Sequence, residues 1–125
     1  MSPKNTEKVT IIGSGPAGYT AAIYAARSGL SPLIISGLEP GGQLMITTDV
    51  ENFPGFENAI QGPWLMDQMK KQALSVGAKF KFDTVKKVNF DDFPFKIETE
   101  KNDVIKTYSV IISTGASARW LEVAG

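Results

Sequence analysis

A β-branched strand that runs directly into a glycine-rich turn and then a proline-led helix is compatible with few folds. Lys8–Ile12 is such a run, and it ends in Gly13-Ser14-Gly15-Pro16-Ala17-Gly18. Pro16 sits where its missing N–H costs nothing, at the opening of a helix. The pattern predicts that this helix continues to about Ser28 and stops at Gly29. Gly18, Ala21, Ala22, Ala25 and Ala26 are small, so one face can lie close to a sheet. Pro32–Ser36 then reads as a second strand, completing a βαβ unit.

In that order of elements the glycines acquire separate roles. Gly13 permits the tight turn, Gly15 lets the backbone approach a pyrophosphate, and Gly18 allows the helix to pack on the strand. The helix N-terminus offers unpaired N–H groups and a positive dipole end to the phosphates. The turn alone does not choose between NAD, NADP and FAD. An acidic residue about 20 positions on commonly bonds the adenosine ribose. Here Ser36 closes the second strand and Glu39 follows after Gly37 and Leu38, so either Glu39 or Ser36 is left for that task. No arginine follows the strand to receive a ribose phosphate, which argues against NADP at this turn.

Composition narrows the chemistry further. A chain of 125 residues holds one ordinary core rather than two. Its 13 basic and 13 acidic residues cancel, so no positive field is available for nucleic acid or an anionic membrane. The polar opening lacks the apolar core of a signal, and no later run is long enough to span a bilayer, which makes the cytoplasm the default location. There is no cysteine and no histidine. The chain therefore supplies no disulfide, no thiolate nucleophile and no imidazole base, and any catalysis depends on a cofactor or on residues outside these 125.

Glu39–Phe56, "EPGGQLMITTDVENFPGF", is long and weakly patterned, and such segments in compact domains are usually functional. Gly41-Gly42 allow close backbone approach, Gln43 and Asn52 carry amides, and Thr47 and Thr48 carry hydroxyls. Together they suit a flat, polar-edged ring system. Gly62-Pro63 opens a second helix that Gly77 ends, with Leu65, Met69, Ala73 and Val76 as its core stripe. Lys79–Phe82 returns to the sheet as a strand, and Val85–Ser109 alternates as a three-stranded antiparallel meander with turns at Asp91-Asp92 and Lys101–Asp103. Val110–Ser113 reads as a buried strand. The loop after it places Thr114, Gly115 and Ala116 beside the cofactor crevice, with Arg119 facing either a phosphate or solvent.

"IIGSGPAGYTAAIYAAR", "GGQL", "TTDVENFPGF", "GPWLMDQM" and "IISTGASARWLEVAG" together resemble the N-terminal segment of the bacterial low-molecular-weight thioredoxin reductases, within the pyridine nucleotide-disulfide oxidoreductases. The resemblance covers essentially the whole chain. It implies an α/β, Rossmann-like, three-layer FAD-binding fold, with a central parallel sheet and the meander, and with residues 1–125 as the N-terminal part of an incomplete FAD-binding domain. FAD rather than NAD is then implied at the first turn. Ser14, Gly15, Pro16 and Ala17 would hold the pyrophosphate, and Ser36–Gln43 would surround the adenosine and the approach to the flavin, with Leu44 completing GGQL. Thr47 and Asn52 would sit near the ribityl chain and the ring, and Val85 near the adenine.

The same resemblance implies a homodimeric flavoenzyme that passes electrons from NADPH through FAD and a Cys-x-x-Cys disulfide to thioredoxin. The NADPH domain with that dithiol and a returning C-terminal segment would lie outside these residues, and Leu121–Gly125 would begin the linker. Exposed apolar sheet surface, weak FAD binding and no disulfide reduction are the expectations for this chain by itself. Ferredoxin-linked reductases and the flavin subunit of alkyl hydroperoxide reductase share much of the segment. A non-catalytic FAD- or nucleotide-binding module is a further reading, and the GGQL-to-Asn52 stretch disfavours an NAD-dependent dehydrogenase.

Overall fold

The computed structural model describes residues 5–116; the expectations for Arg119 and for the Leu121–Gly125 linker lie outside them. Ten strands and two α-helices follow in the order β1 (Thr6–Glu7), β2 (Thr10–Ile12), α1 (Pro16–Arg27), β3 (Leu33–Ile35), β4 (Asp49–Val50), β5 (Ile60–Gln61), α2 (Gly62–Ser75), β6 (Lys79–Lys81), β7 (Val85–Asn89), β8 (Phe95–Thr99), β9 (Val104–Thr107) and β10 (Val110–Ile112). A short 3₁₀ helix, Gly42–Ile46, interrupts the long connection after β3.

The central sheet is parallel, in the order β10-β2-β3-β6. From β2 the chain winds outward through β3 to β6, and it comes back to the other side of β2 only at β10. That reversal puts a topological switch point between the carboxyl ends of β2 and β10, where open α/β sheets bind ligands. Strand alternation then sorts the side chains. Val9, Ile11 and Ile34 face the helices and share a core with Tyr19, Ala22 and Ala26 of α1 and Leu65, Met66, Met69 and Ala73 of α2. Both helices end as the sequence requires. Gly29 and Gly77 adopt positive φ, and the following residues close Schellman pairs, with Leu30 donating to the Ala25 carbonyl and Ala78 to that of Ala73.

The opposite face of the parallel sheet is covered by a second sheet, β1-β9-β8-β7. Its last three strands are the expected antiparallel meander, and β1 adds a parallel edge beside β9. Thr10 and Ile35 of the parallel sheet and Ile97, Thr99 and Thr107 of the meander are all fully buried outside the helix-side core. Two β6 lysines fasten the layers: Lys79 pairs with Glu7 of β1 at 2.6 Å, and Lys81 pairs with Asp103 at the start of β9. The arrangement is therefore three-layered, helices over parallel sheet over meander.

Several boundaries differ from the sequence reading. Strand pairing begins at Thr10 rather than Lys8, because the chain bends at Lys8 between β1 and β2. β3 and β6 are each shorter than expected, at Leu33–Ile35 and Lys79–Lys81. The expectation of a buried Val110–Ser113 strand is corrected: β10 is a sheet edge, and Ile111 and Ile112 are 38% and 65% exposed. An apolar run reads as buried on composition, but an edge strand has only one neighbour to cover it.

Close approach at glycine sets the spacing of the layers. A Cβ on Gly18 would fall within 3.0 Å of the Gly13 carbonyl oxygen, and one on Gly62 would do so at the Leu44 and Thr47 carbonyls. Gly18→Ala and Gly62→Ala should each destabilise the fold by about 1–3 kcal/mol through overpacking. Urea unfolding should show this as a lower midpoint at unchanged slope, and a parental midpoint for either variant would refute the close packing.

Asp83 contributes to the acid dependence of the fold. Burial alone pushes its carboxyl up, but the Thr99 hydroxyl, the Thr84 and Lys101 amides and the Lys81 ammonium outweigh burial and hold it below the ordinary value of 3.8. Stability from this group is thus present above pH 3.8 and is lost as pH falls through the lower folded value. Asp83→Asn should remove that part of the acid-unfolding slope, followed by far-UV circular dichroism. Superimposable acid limbs for parent and variant would contradict the assignment.

Candidate functional site

A cleft of about 710 Å³ opens at the switch point, within the range of small-molecule sites. Its floor is the end of β2 and the turn into α1: Ile12, Gly13, Ser14, Gly15 and Pro16. One wall is the end of β3 and the loop after it, with Ile35, Ser36, Gly37, Leu38 and Glu39, continued by Gly42 and Gln43. Thr84 and Val85 stand beside that wall, and Ser113, Thr114, Gly115 and Ala116, following β10, close the other side.

Backbone bonds tie these pieces together. The Gly13 amide donates to the Ile35 carbonyl at 2.9 Å, and the Ser14 hydroxyl donates to the Ser36 carbonyl at 2.8 Å. The Gly41 amide returns to the Ser14 carbonyl at 2.9 Å. Ser14 and Ser36 are both buried, so their side chains serve as struts. The Ser36 hydroxyl donates to the Gly37 carbonyl, which leaves Glu39 as the exposed carboxylate in the lining.

Positive potential in the cleft comes from the backbone. Gly15 caps α1 with no side-chain bond, Pro16 occupies its first turn, and no acidic residue lies in that turn. The amides that open α1 and the positive end of its dipole therefore face the cleft uncompensated, as an anion site requires. No lysine or arginine lines the cleft among the described residues, so it offers no cation to a ribose phosphate.

The glycines divide by what restricts them. Gly13 and Gly18 are demanded by the protein's own packing, since a Cβ on Gly13 would strike the Ser113 carbonyl and one on Gly18 the Gly13 carbonyl. Gly15 is different, because a Cβ there would meet no protein atom within 4 Å. Its lack of a side chain keeps open a space that the fold itself does not fill. A phosphate group held against the α1 amides fits that cradle.

Not every sequence candidate lines the cleft. Ala17 is exposed on the first turn of α1, and Gly18 is buried between α1 and β2. Gly41 and Leu44 pack inward, Gly41 against Met45 and Leu44 against the helix-side core. Thr47 donates its hydroxyl to the Gln43 carbonyl at 3.2 Å, and Asn52 is exposed in the loop before β5. Conversely, Ile12, Ile35, Thr84 and Ser113 line the cleft without having been singled out, and Leu38 does so within the expected Ser36–Gln43 stretch. Ile12 and Ile35 are the last residues of parallel strands, a position that could have been read from the motif. Thr84 and Ser113 adjoin the candidates Val85 and Thr114.

Other features supply no competing chemistry. A depression of about 450 Å³ over the helices is lined by Tyr24, Phe53, Phe56 and Leu65 among others, with no glycine-rich backbone. Among the described residues, no group of three or more histidine, cysteine, aspartate or glutamate side chains could hold a metal, and no helix is long and apolar enough to cross a membrane.

Comparison with known proteins agrees with this geometry. The chain is 58% identical over 120 residues to a thioredoxin reductase of Rickettsia bellii (strain RML369-C), covering 96% of this chain and 39% of that protein. It is 51% identical over 121 residues to NADPH-dependent thioredoxin reductase 3 of Arabidopsis thaliana, covering 94% of this chain and 23% of that protein. The solved thioredoxin reductase of Streptococcus pyogenes MGAS5005 superposes with a TM-score of 0.87 at 40% identity, over 97% of this chain and 39% of that one. The chain thus spans at most 39% of the length of these relatives. A family model described as pyridine nucleotide-disulphide oxidoreductase matches residues 7–125, and the chain belongs to that family.

Proposed function

We propose that these residues form the FAD-binding part of a thioredoxin reductase, a flavoenzyme that carries electrons from NADPH to thioredoxin. The observation that carries this reading is the cradle at Gly15, an uncapped helix N-terminus with open space where a side chain would stand. The likeness to thioredoxin reductases supports FAD among the dinucleotides that such a cradle accepts.

Bound FAD would supply the two-electron relay between nicotinamide and disulfide. The chain's own residues bind and orient. Amides at the start of α1 would hydrogen-bond the pyrophosphate, and Glu39 would accept hydrogen bonds from the adenosine ribose. Leu38, Thr84 and Val85 would enclose the adenine, and Gln43 would offer its amide further along the cleft. The assignments of Thr47 and Asn52 to the ribityl chain and ring rest on the resemblance alone, as do those of Ala17, Gly41 and Leu44. Thr114, Gly115 and Ala116 border the ligand from the β10 side. Residues 1–125 belong, on this reading, to the N-terminal part of the FAD-binding domain, in a homodimeric cytoplasmic enzyme whose dithiol and NADPH site lie elsewhere.

Titration with FAD followed by visible absorption should show weak, saturable binding that NAD does not displace. Gly15→Val should abolish it while leaving the circular dichroism spectrum unchanged, since the new side chain would enter the phosphate space. Displacement by equimolar NAD, or parental binding by Gly15→Val, would overturn the reading. Supplied with FAD, NADPH and a disulfide substrate, these 125 residues should give no turnover, because they contain no cysteine. Measurable thiol release would disprove that dependence on an external dithiol.

A further inference from the structure

The strap Phe82–Thr84, between β6 and β7, brings Thr84 and the first residue of β7, Val85, to the cleft, while Asp83 stands behind them only 4% exposed. Its backbone is held from two directions. On the cleft side the Gly37 amide donates to the Asp83 carbonyl at 2.8 Å, and the Ser36 amide to that of Lys81 at 3.0 Å. On the meander side the Glu100 amide donates to the Thr84 carbonyl at 2.8 Å, and the Lys101 ammonium to that of Phe82 at 2.6 Å. The Asp83 carboxylate adds to the meander-side hold through one oxygen, because Oδ1 accepts from the strap's own Thr84 amide at 2.8 Å and from the Lys101 amide at 3.2 Å. Its other oxygen lies 3.4 Å from the Lys81 ammonium.

From this arrangement we infer that Asp83 is a positioning residue for the dinucleotide cleft, pinning the Thr84–Val85 wall to the β8–β9 turn so that the wall keeps a fixed distance from Ser36 and Gly37. The inference rests on the proposed FAD site for its consequence in binding, and on the hydrogen bonds alone for the pinning. Asp83 itself does not line the cleft, so its effect on a ligand passes through Thr84 and Val85. Removing the carboxylate leaves the two part-buried amides of Thr84 and Lys101 without their acceptor, which loosens a short strap.

Three variants separate positioning from bulk stability: Asp83→Ala removes the acceptor, Asp83→Asn keeps a carbonyl acceptor without the charge, and Asp83→Glu keeps the charge but displaces the acceptor. Hydrogen exchange on the ligand-free chain should show lost protection at the Gly37 and Lys101 amides in Asp83→Ala and near-parental protection in Asp83→Asn. FAD dissociation constants, measured well below the unfolding temperature, should rise about tenfold in Asp83→Ala and Asp83→Glu, and less than about threefold in Asp83→Asn. Parental exchange at both amides in a folded Asp83→Ala would overturn the inference, as would lost protection with unchanged FAD affinity, or an Asp83→Asn variant as impaired as Asp83→Ala. Where Asp83→Ala does not fold, parental exchange and affinity in Asp83→Glu overturn it equally. Should the parent bind no FAD, the FAD reading fails, and exchange at Gly37 and Lys101 still decides the pinning.

Discussion

The contact on which the structure depends is one between backbones: the start of α1 lies against the ends of β2 and β10 with no side chain between them. Gly13 touches the Ser113 carbonyl, and Gly18 fits over the Gly13 carbonyl, so strand, turn, helix and neighbouring strand meet at one point. Any Cβ there would push the helix outward. The approach brings the α1 amides to the carboxyl edge of the sheet, and so the constraint that packs the fold is also the one that aims an uncapped helix N-terminus at the cleft.

Around that point the two faces of the parallel sheet are held by different physics. The helix side is an apolar core, in which Tyr19, Leu65, Met66 and Met69 exclude water from β2 and β3. On the meander side buried threonines accompany Ile35 and Ile97, and the Lys79–Glu7 and Lys81–Asp103 pairs bridge the layers at their margin. Exposed ion pairs of this kind contribute little to stability. The buried Thr10, Ile35, Ile97, Thr99 and Thr107 carry more of the join, and with it the place where the strap before β7 reaches the cleft.

Much of the site was legible in the glycine-rich turn, because a strand, a tight turn and a proline-led helix impose backbone geometry locally. Gly13, Ser14, Gly15 and Pro16 therefore occupy the cleft floor as the motif requires. The long connection was harder to read. Gly42 and Gln43 reach the cleft, whereas Thr47 turns its hydroxyl back to the Gln43 carbonyl and Asn52 faces solvent. Donor and acceptor chemistry was visible there, but the direction of each side chain follows from the 3₁₀ turn and from Gly62 packing beneath it. β10 was misread for a similar reason: Ile111 and Ile112 are apolar in sequence, and only strand order makes them an edge.

Local pattern was enough to set the βαβ unit, the helix stops at Gly29 and Gly77 and the alternation of the meander, and composition to exclude any thiol or imidazole. Each of these is written within a few neighbouring residues, or in composition. Tertiary structure alone decided that Thr84, 70 positions after Ser14, shares a cleft with it, that β1 extends the meander, and that Asp83 is buried behind the wall. Those relations depend on the order in which strands pair and on which carbonyls accept which amides across layers, and local pattern carries no record of either.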